Sequence, residues 1–126
     1  MRDLIVAVDI GTGSARAGVF DRRGVLLGRS EYPIAMRRPT VDHAEHDSEN
    51  IWQAVCISVK AACVAARADA SRIAAIGVDA TCSLVVRDGA GKPLAVSGGD
   101  DACWDTVVWL DHRALDEADL CTATEH

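Results

Sequence analysis

The chain has 126 residues, 49% of them hydrophobic, and a formal net charge of −6. This length supports one hydrophobic core, which predicts a single domain or part of one. The acidic balance argues against nucleic acid as the main partner, because nucleic-acid footprints are basic and clustered. No run of about 18 apolar residues occurs, and Asp3 and Asp9 interrupt the apolar N-terminus, so we expect a soluble cytoplasmic protein without a membrane span or signal peptide.

The first two predicted strands enclose a short polar stretch. Residues 4–8 and 17–20 are apolar, and between them lie a carboxylate, two glycines, two hydroxyls and an arginine: Asp9, Gly11, Thr12, Gly13, Ser14 and Arg16. Glycines tolerate φ > 0 and let backbone N–H groups approach an anion, while the hydroxyls add donors and the arginine adds a fixed charge. A carboxylate beside a phosphate suits Mg²⁺. The stretch predicts either a phosphate-binding hairpin tip or a plain tight turn.

The same stretch matches neither of two common nucleotide-binding motifs. A Walker A motif ends in Gly-Lys-Ser or Gly-Lys-Thr, and a GxGxxG motif requires a third glycine where Arg16 stands. Both motifs are therefore excluded.

The next residues predict a third strand, a loop and the main helix. A polar turn at 21–24 and a strand at 25–32 extend the hairpin into an antiparallel meander. Residues 33–47 are irregular and polar, which predicts a loop over the sheet. Asp47 or Ser48 can cap a helix over 51–68, and this helix has an apolar stripe at three- and four-residue steps. The stripe consists of Ile51, Trp52, Val55, Cys56, Val59, Ala62, Cys63 and Ala66.

The C-terminal half predicts three further strands and a second helix. Residues 73–79 are nearly all apolar, which is typical of a strand covered on both faces. Residues 83–86 and 106–109 predict short strands, with a Gly- and Pro-rich turn at 88–93 and an acidic loop at 97–101. Residues 112–122 predict a helix whose outward side chains are Arg113, Asp116, Glu117 and Asp119. The elements together predict an α/β domain with a mixed sheet and helices packed on it.

The cysteines and histidines do not predict a disulfide framework or a metal centre. The five cysteines are odd in number and form no CxxC pair, so reduced thiols are expected. His43, His46 and Asp47 could share a metal, but no further ligand has matching spacing. We interpret them as loop residues.

Four stretches resemble the FGGY carbohydrate kinases of the actin, heat-shock chaperone and hexokinase superfamily. They are the stretch from Asp9 to Arg16, residues 45–47, residues 76–85 and residues 107–114. Asp-x-Gly-Thr-x-Ser-x-Arg in the first and Trp-x-Asp-His-Arg-Ala in the last are most similar to the ribulokinase-like branch. The resemblance implies a ribonuclease-H-like fold of the actin-like ATPase type. It also implies that residues 1–126 are the N-terminal portion of domain I, without the rest of domain I or any of domain II.

The resemblance further implies Mg²⁺-dependent transfer of a phosphoryl group from ATP to a hydroxyl of a ketopentose such as ribulose. By this likeness, Asp9 coordinates Mg²⁺, and Arg16 neutralises the charge that develops during transfer. The implied phosphate-binding residues are Gly11, Thr12, Gly13, Ser14 and Arg16. The implied lining of the sugar pocket is Thr81, Cys82, Trp109 and Asp111.

Each implied pocket residue also has a purely structural interpretation. Trp109 and Cys82 fit core packing, and Asp111 fits a cap on the helix that follows. Asp79 fits either a strand-end carboxylate near the site or a turn former.

Two parts that the family requires match no residue of this chain. They are the general base, implied to be an aspartate in a later segment, and the adenosine pocket, so we expect the chain to be inactive alone. Xylulose, glycerol or another polyol is the alternative substrate, and a nucleotide-binding chaperone or actin-like module is the alternative function. The expected partners are a sugar and a nucleotide, with no nucleic acid and no membrane, and a homodimer of the parent protein is compatible with the resemblance.

Overall fold

The computed structural model describes residues 1–99 and 101–124. In chain order its elements are β1 (Leu4–Ile10), β2 (Ser14–Asp21), β3 (Leu26–Pro33), β4 (Met36–Arg37), β5 (Glu45–His46), α1 (Ser48–Ala65), β6 (Ile73–Ala80), β7 (Leu84–Val85), β8 (Thr106–Val107) and α2 (Leu115–Ala123). The main sheet has the strand order β3-β2-β1-β6. β1, β2 and β3 are antiparallel neighbours, whereas β6 runs parallel to β1. The predicted mixed sheet with its antiparallel meander is confirmed.

Alternation along β1 and β2 sends one face of the main sheet into the core. The buried positions on these strands are Leu4, Val6, Val8, Ala15, Ala17 and Val19. Helix α1 covers this face through Ala54, Ser58 and Ala62, which are fully buried. Their four-residue spacing places them in one row along the helix, and their small size lets the helix lie close to the sheet. The Ser58 hydroxyl donates to the Ala15 carbonyl at 2.8 Å, which satisfies the one polar group in that row.

Helix α1 begins earlier than predicted, and its buried row is shifted around the helix. Asp47 caps it as predicted, with its side chain accepting from two N–H groups of the first turn. Trp52, a member of the predicted buried stripe, is 60% exposed, and Cys56 and Cys63 are only half-buried. The predicted stripe includes Ala62 and the partly buried residues that pack against the core, which are Ile51, Val55, Val59, Cys63 and Ala66. It missed Ala54 and Ser58, and Ser58 is polar, so hydrophobic periodicity could not include it.

Gly28 on β3 marks the closest approach of α1 to the sheet. A Cβ atom there would lie 2.4 Å from the Ala66 nitrogen and 2.8 Å from the Ala65 carbonyl carbon. Both are backbone atoms, so no side-chain rotation can relieve the overlap.

We predict that Gly28→Ala lowers the free energy of unfolding by about 1–3 kcal/mol, the usual cost of overpacking. Urea denaturation followed by circular dichroism measures this loss. Gly77→Ala is the control, since a Cβ atom on that strand glycine meets nothing within 4 Å. Equal midpoints for the two variants would contradict the close seating of the helix.

A second, smaller sheet in the order β4-β5-β8-β7 uses part of the segment predicted to be a loop. The loop prediction for 33–47 is therefore wrong at β4 and β5. The strands predicted at 83–86 and 106–109 shrink to two residues each, and α2 begins at Leu115. Two-residue strands are too short to show a period-2 pattern, which is why the sequence did not reveal β4 and β5. The turn at 88–93 is confirmed, and Asp100 of the predicted 97–101 loop lies outside the described residues.

Strand β6 occurs where predicted but is not covered on both faces. Ile76 is 58% exposed and Val78 is 64% exposed. β6 stands at the end of the described sheet, whereas α1 packs over β1, β2 and β3. The apolar run thus identified a strand, but the positions of its neighbours decided which faces are covered. Within residues 1–99 and 101–124, no helix has the length and apolar character needed to cross a membrane.

Candidate functional site

Two carboxylates lie side by side at the ends of the parallel strands β1 and β6. Asp9 and Asp79 are register partners, so their side chains emerge from the same face of the sheet. Arg16 is the partner of Asp9 on β2, and its Nη2 lies 3.0 Å from Oδ2 of Asp9. All three residues are exposed. Asp79 is therefore a strand-end carboxylate beside the site and does not form a turn.

The 11–13 loop joins β1 to β2 at the same end of the sheet. The Gly11 N–H donates to the Ser14 carbonyl at 3.0 Å, and the Ile34 N–H donates to the Gly13 carbonyl at 2.9 Å. Within the described part of the chain, no backbone carbonyl or side chain accepts from the N–H of Thr12 or Gly13. Two neighbouring backbone donors are thus available to an anion.

The glycines of this loop act differently from the prediction. We predicted that these glycines allow backbone angles with φ > 0. This prediction is wrong, because neither Gly11 nor Gly13 has a positive φ. Gly11 instead leaves room for Arg16, because a Cβ atom there would lie 2.7 Å from the Arg16 Nη2. The Ser14 hydroxyl is already engaged, since it donates to Glu31 Oε1 at 2.6 Å.

Trp109 connects the 11–13 loop to the segment that follows β6. Its indole Nε1 donates to Thr12 Oγ1 at 2.9 Å, and its backbone N–H donates to Ser83 Oγ at 3.3 Å. The Ser83 and Thr81 hydroxyl oxygens lie 3.3 Å apart. Trp109 is 57% exposed and Cys82 is also exposed, so the core-packing alternative does not hold for either residue. Sequence analysis missed Ser83, which this arrangement places between Thr81 and Trp109.

Asp111 belongs to a buried network of ion pairs. Its side chain is 1% exposed, and its two oxygens accept from the Arg113 Nε and Nη2 at 2.8 and 2.7 Å. The Ala44 N–H also donates to it at 2.7 Å. Asp111 does not cap α2, which has no side-chain cap, and Arg113 does not face outward as predicted. The Arg113 side chain points into the protein, where it forms the ion pair with Asp111.

Glu45 is the fully buried centre of the same network. Its Oε1 accepts from Arg113 at 2.9 Å, and its Oε2 accepts from Arg37 at 2.7 Å. The Ser97 hydroxyl also donates to Oε1. Burial raises the pKa of Glu45, but the bonds from Ser97, Arg37 and Arg113 outweigh burial and leave the pKa below its ordinary value. Hydrogen bonds from Arg113 likewise hold the pKa of Asp111 well below its usual range, although burial opposes them.

His46 is buried in β5, so the loop interpretation is wrong for this residue. The side chain is 2% exposed, and within the described residues its Nε2 has no hydrogen-bond partner. Burial lowers the pKa of the imidazole, and the Thr12 backbone raises it by less. The ring is therefore neutral at pH 7. An unpaired buried polar atom costs about 1–3 kcal/mol, which makes His46 a residue that requires explanation.

The chain is similar to known carbohydrate kinases over most of its length. The chain is 42% identical over 121 residues to the human FGGY carbohydrate kinase domain-containing protein, covering 96% of this chain and 22% of that protein. It is 39% identical over 116 residues to a D-ribulokinase of Saccharomyces cerevisiae, covering 90% of this chain and 16% of that protein. The chain therefore spans about a fifth of the length of these relatives.

The fold comparison agrees as well. The xylulose kinase of Rhodospirillum rubrum superposes with a TM-score of 0.77 at 21% identity, over 97% of this chain and 24% of that chain. The predicted ribonuclease-H-like α/β fold of the actin-like ATPase type is confirmed, here as part of a domain. Residues 4–124 match the N-terminal domain of the FGGY family of carbohydrate kinases, and the chain belongs to that family.

Proposed function

We propose that residues 1–126 are the N-terminal portion of domain I of an ATP-dependent carbohydrate kinase, with the rest of domain I and all of domain II formed by further chain. The match to about a fifth of the length of the relatives supports this. An exposed apolar face supports it independently. Val64, Ile76 and Val78 are 78%, 58% and 64% exposed. Between α1 and β6 lies an open apolar cavity of about 530 Å³. A contiguous apolar surface of this kind is typical of a face that another element covers.

The proposed reaction is phosphoryl transfer from ATP to a hydroxyl of a ketopentose such as ribulose. The observation that carries it is the convergence of Asp9, Asp79 and Arg16 with the 11–13 loop at one end of the main sheet. Phosphoryl transfer depends mainly on positioning and on stabilising negative charge. Free N–H groups of Thr12 and Gly13 would bind the phosphoryl oxygens, and Arg16 would neutralise charge beside them. Gly11 and Ser14 shape this cradle through their mutual hydrogen bond.

The carboxylates fit a magnesium ion. Asp9 and Asp79 offer hard oxygen ligands at adjacent strand ends, and Mg²⁺ is usually held by one or two carboxylates, phosphate oxygens and water. Among the described residues, no three acidic, histidine or cysteine side chains converge on one metal position. Nucleotide phosphate and water would therefore complete the coordination, and the ion would shield charge on the transferred group.

On the sugar side we propose Thr81, Cys82 and Trp109 as contacts and add Ser83. The exposed indole of Trp109 offers an apolar face to sugar carbons, and the hydroxyls of Thr81 and Ser83 offer hydrogen bonds. A sugar could reach Asp111 only by displacing Arg113. We therefore assign Asp111 to positioning, since it holds Arg113 and the Ala44 backbone.

Steady-state assays of the full-length protein with ATP and Mg²⁺ test this function. The panel is D-ribulose, L-ribulose, D-xylulose and glycerol, and ADP release is measured. We expect the highest kcat/KM with a ribulose isomer and no turnover from residues 1–126 alone. A preference for xylulose or glycerol would replace the substrate within the same family. ATP binding without turnover of any sugar would favour the chaperone-like or actin-like alternative.

A further inference from the structure

A small cavity lies between the 11–13 loop and the second sheet. Its volume is about 200 Å³. The lining is mostly apolar and comes from five separate strands, helix α1 and the segment after β6. The residues that matter here are His46, Gly11, Thr81, Ser83 and Ile51. The cavity therefore adjoins both the loop proposed to bind phosphate and the segment proposed to bind sugar.

His46 lines this cavity, and its Nε2 is the one buried side-chain nitrogen of the described residues without a hydrogen-bond partner. The Thr12 backbone raises the pKa of the ring, as a carbonyl acceptor does by favouring the protonated form. A neutral imidazole carries its one ring hydrogen on either Nδ1 or Nε2, and the tautomer with the hydrogen on Nδ1 has a bare lone pair on Nε2. In that tautomer Nε2 is a buried acceptor without a donor.

A hydroxyl-bearing carbon fits this combination of properties. The apolar lining, which includes Ile51, suits a methylene group, and the acceptor on His46 suits the O–H attached to it. Pockets that recognise small molecules commonly combine an apolar wall with few polar groups that fix orientation. A charged group does not fit, because no ionised side chain lines the cavity.

We propose that His46 is a specificity-determining residue, and that its Nε2 accepts a hydrogen bond from one hydroxyl of the sugar, seated in this cavity beside Gly11 and Thr81. The inference rests on the proposed sugar kinase function. It deepens that function by naming the protein atom that would select sugars with a hydroxyl able to donate at this position.

A pair of variants of the full-length protein separates the two ring nitrogens. The amide of His46→Gln reaches about as far as Nε2, whereas that of His46→Asn reaches only about as far as Nδ1. We expect kcat/KM for the best sugar to fall about tenfold in His46→Asn and to stay within about threefold in His46→Gln, since about 1.4 kcal/mol corresponds to tenfold. The KM for ATP should stay unchanged in both variants. Equal losses in the two variants would assign His46 a purely structural role and overturn the inference.

Sugar analogues test the same hydrogen bond without altering the protein. Each hydroxyl is replaced singly by fluorine, which keeps the size but cannot donate. One analogue should lose about tenfold in kcat/KM with the wild type and show no further loss with His46→Asn, because the two changes remove the same interaction. Fully additive losses for every analogue would contradict the assignment.

Nitrogen NMR of histidine-labelled wild type remains decisive if His46→Asn fails to fold. Saturating sugar should shift the His46 Nε2 resonance, and an unchanged resonance under saturation would overturn the inference. A wild type that phosphorylates no sugar would overturn the proposed function and this inference together. Normal turnover that is insensitive to His46 would overturn this inference alone.

Discussion

Replacing Arg113 with alanine is expected to lower the free energy of unfolding by about 3–5 kcal/mol, the usual cost of removing one partner from a buried ion pair. Arg113 contacts Asp111, which is 1% exposed, and Glu45, which is fully buried. Without the guanidinium, Asp111 loses its only charged partner among the described residues, and Glu45 keeps Arg37 as its only charged partner there. Urea denaturation at pH 7 measures the loss.

Two further variants decide whether geometry or charge accounts for the effect. Arg113→Lys should recover only part of the stability, because an ammonium cannot reproduce bonds from Nε and Nη2 to Asp111 together with those to Glu45 and the Val96 carbonyl. Arg23→Ala is the control, since that side chain is 82% exposed on a hairpin turn. Its denaturation midpoint should equal that of the wild type within error. A comparable loss in Arg23→Ala would mean that general charge, and not the buried network, sets the stability.

The pH dependence supplies a second readout of the same network. Folding lowers the pKa of both Asp111 and Glu45, so their stabilisation is present above their ordinary values and is lost as the pH falls below about 4.5. Arg113→Ala removes the main cause of the Asp111 shift. The loss of stability on acidification should therefore be smaller in this variant than in the wild type. Parallel pH profiles would contradict the assignment.

Replacing Asp9 with asparagine in the full-length protein is expected to lower kcat at least about a hundredfold, the scale on which charge-stabilising groups act in catalysis. Asparagine keeps the size of the side chain but removes the charge proposed to hold Mg²⁺. The concentration of Mg²⁺ needed for half-maximal rate should rise in parallel. Sugar binding measured by calorimetry without nucleotide should stay unchanged, because the proposed sugar contacts are other residues.

Two controls accompany this variant: its melting temperature, and the kcat of a variant that lacks a carboxylate elsewhere. The Asp9–Arg16 pair is about half exposed, so its loss should leave the melting temperature nearly unchanged. Asp3→Asn removes a carboxylate from the opposite end of β1 and should retain wild-type kcat. If Asp9→Asn keeps kcat within threefold, Asp9 is not the magnesium ligand, and Asp79 becomes the carboxylate to test.

Much of the main sheet could be predicted because its strands carry strong local patterns. The apolar runs of β1 and β2, the turn at Asp21 and the cap at Asp47 are encoded within a few residues of where they act. The strand pairing of the small sheet could not be predicted in the same way. Its two-residue strands pair segments far apart in the chain, as when Glu45 meets Val107. Local pattern contains no information about such partners.

The candidate site likewise contains residues that local sequence predicts and residues that it does not. The motif from Asp9 to Arg16 identifies the loop, and the family resemblance of the segments around Thr81 and Trp109 indicates the proposed sugar side. The environment of Asp111 was not predictable, because its partner Arg113 looks like an ordinary surface residue of a helix. The environment of His46 was not predictable either, since only the packing around β5 buries this residue and leaves its Nε2 without a partner.

The sequence by itself therefore determined the family, the order of the main strands and helices along the chain, and the residue types at the end of the central strands. These depend on backbone propensity, short-range periodicity and motif spacing, which act over a few neighbouring residues. Only the tertiary structure decided that Asp79 stands beside Asp9, that Glu45 lies between two arginines and that β6 is exposed from Ala74 to Ala80. Register, burial and desolvation are properties of segments brought together from distant parts of the chain, and they arise only when those segments pack.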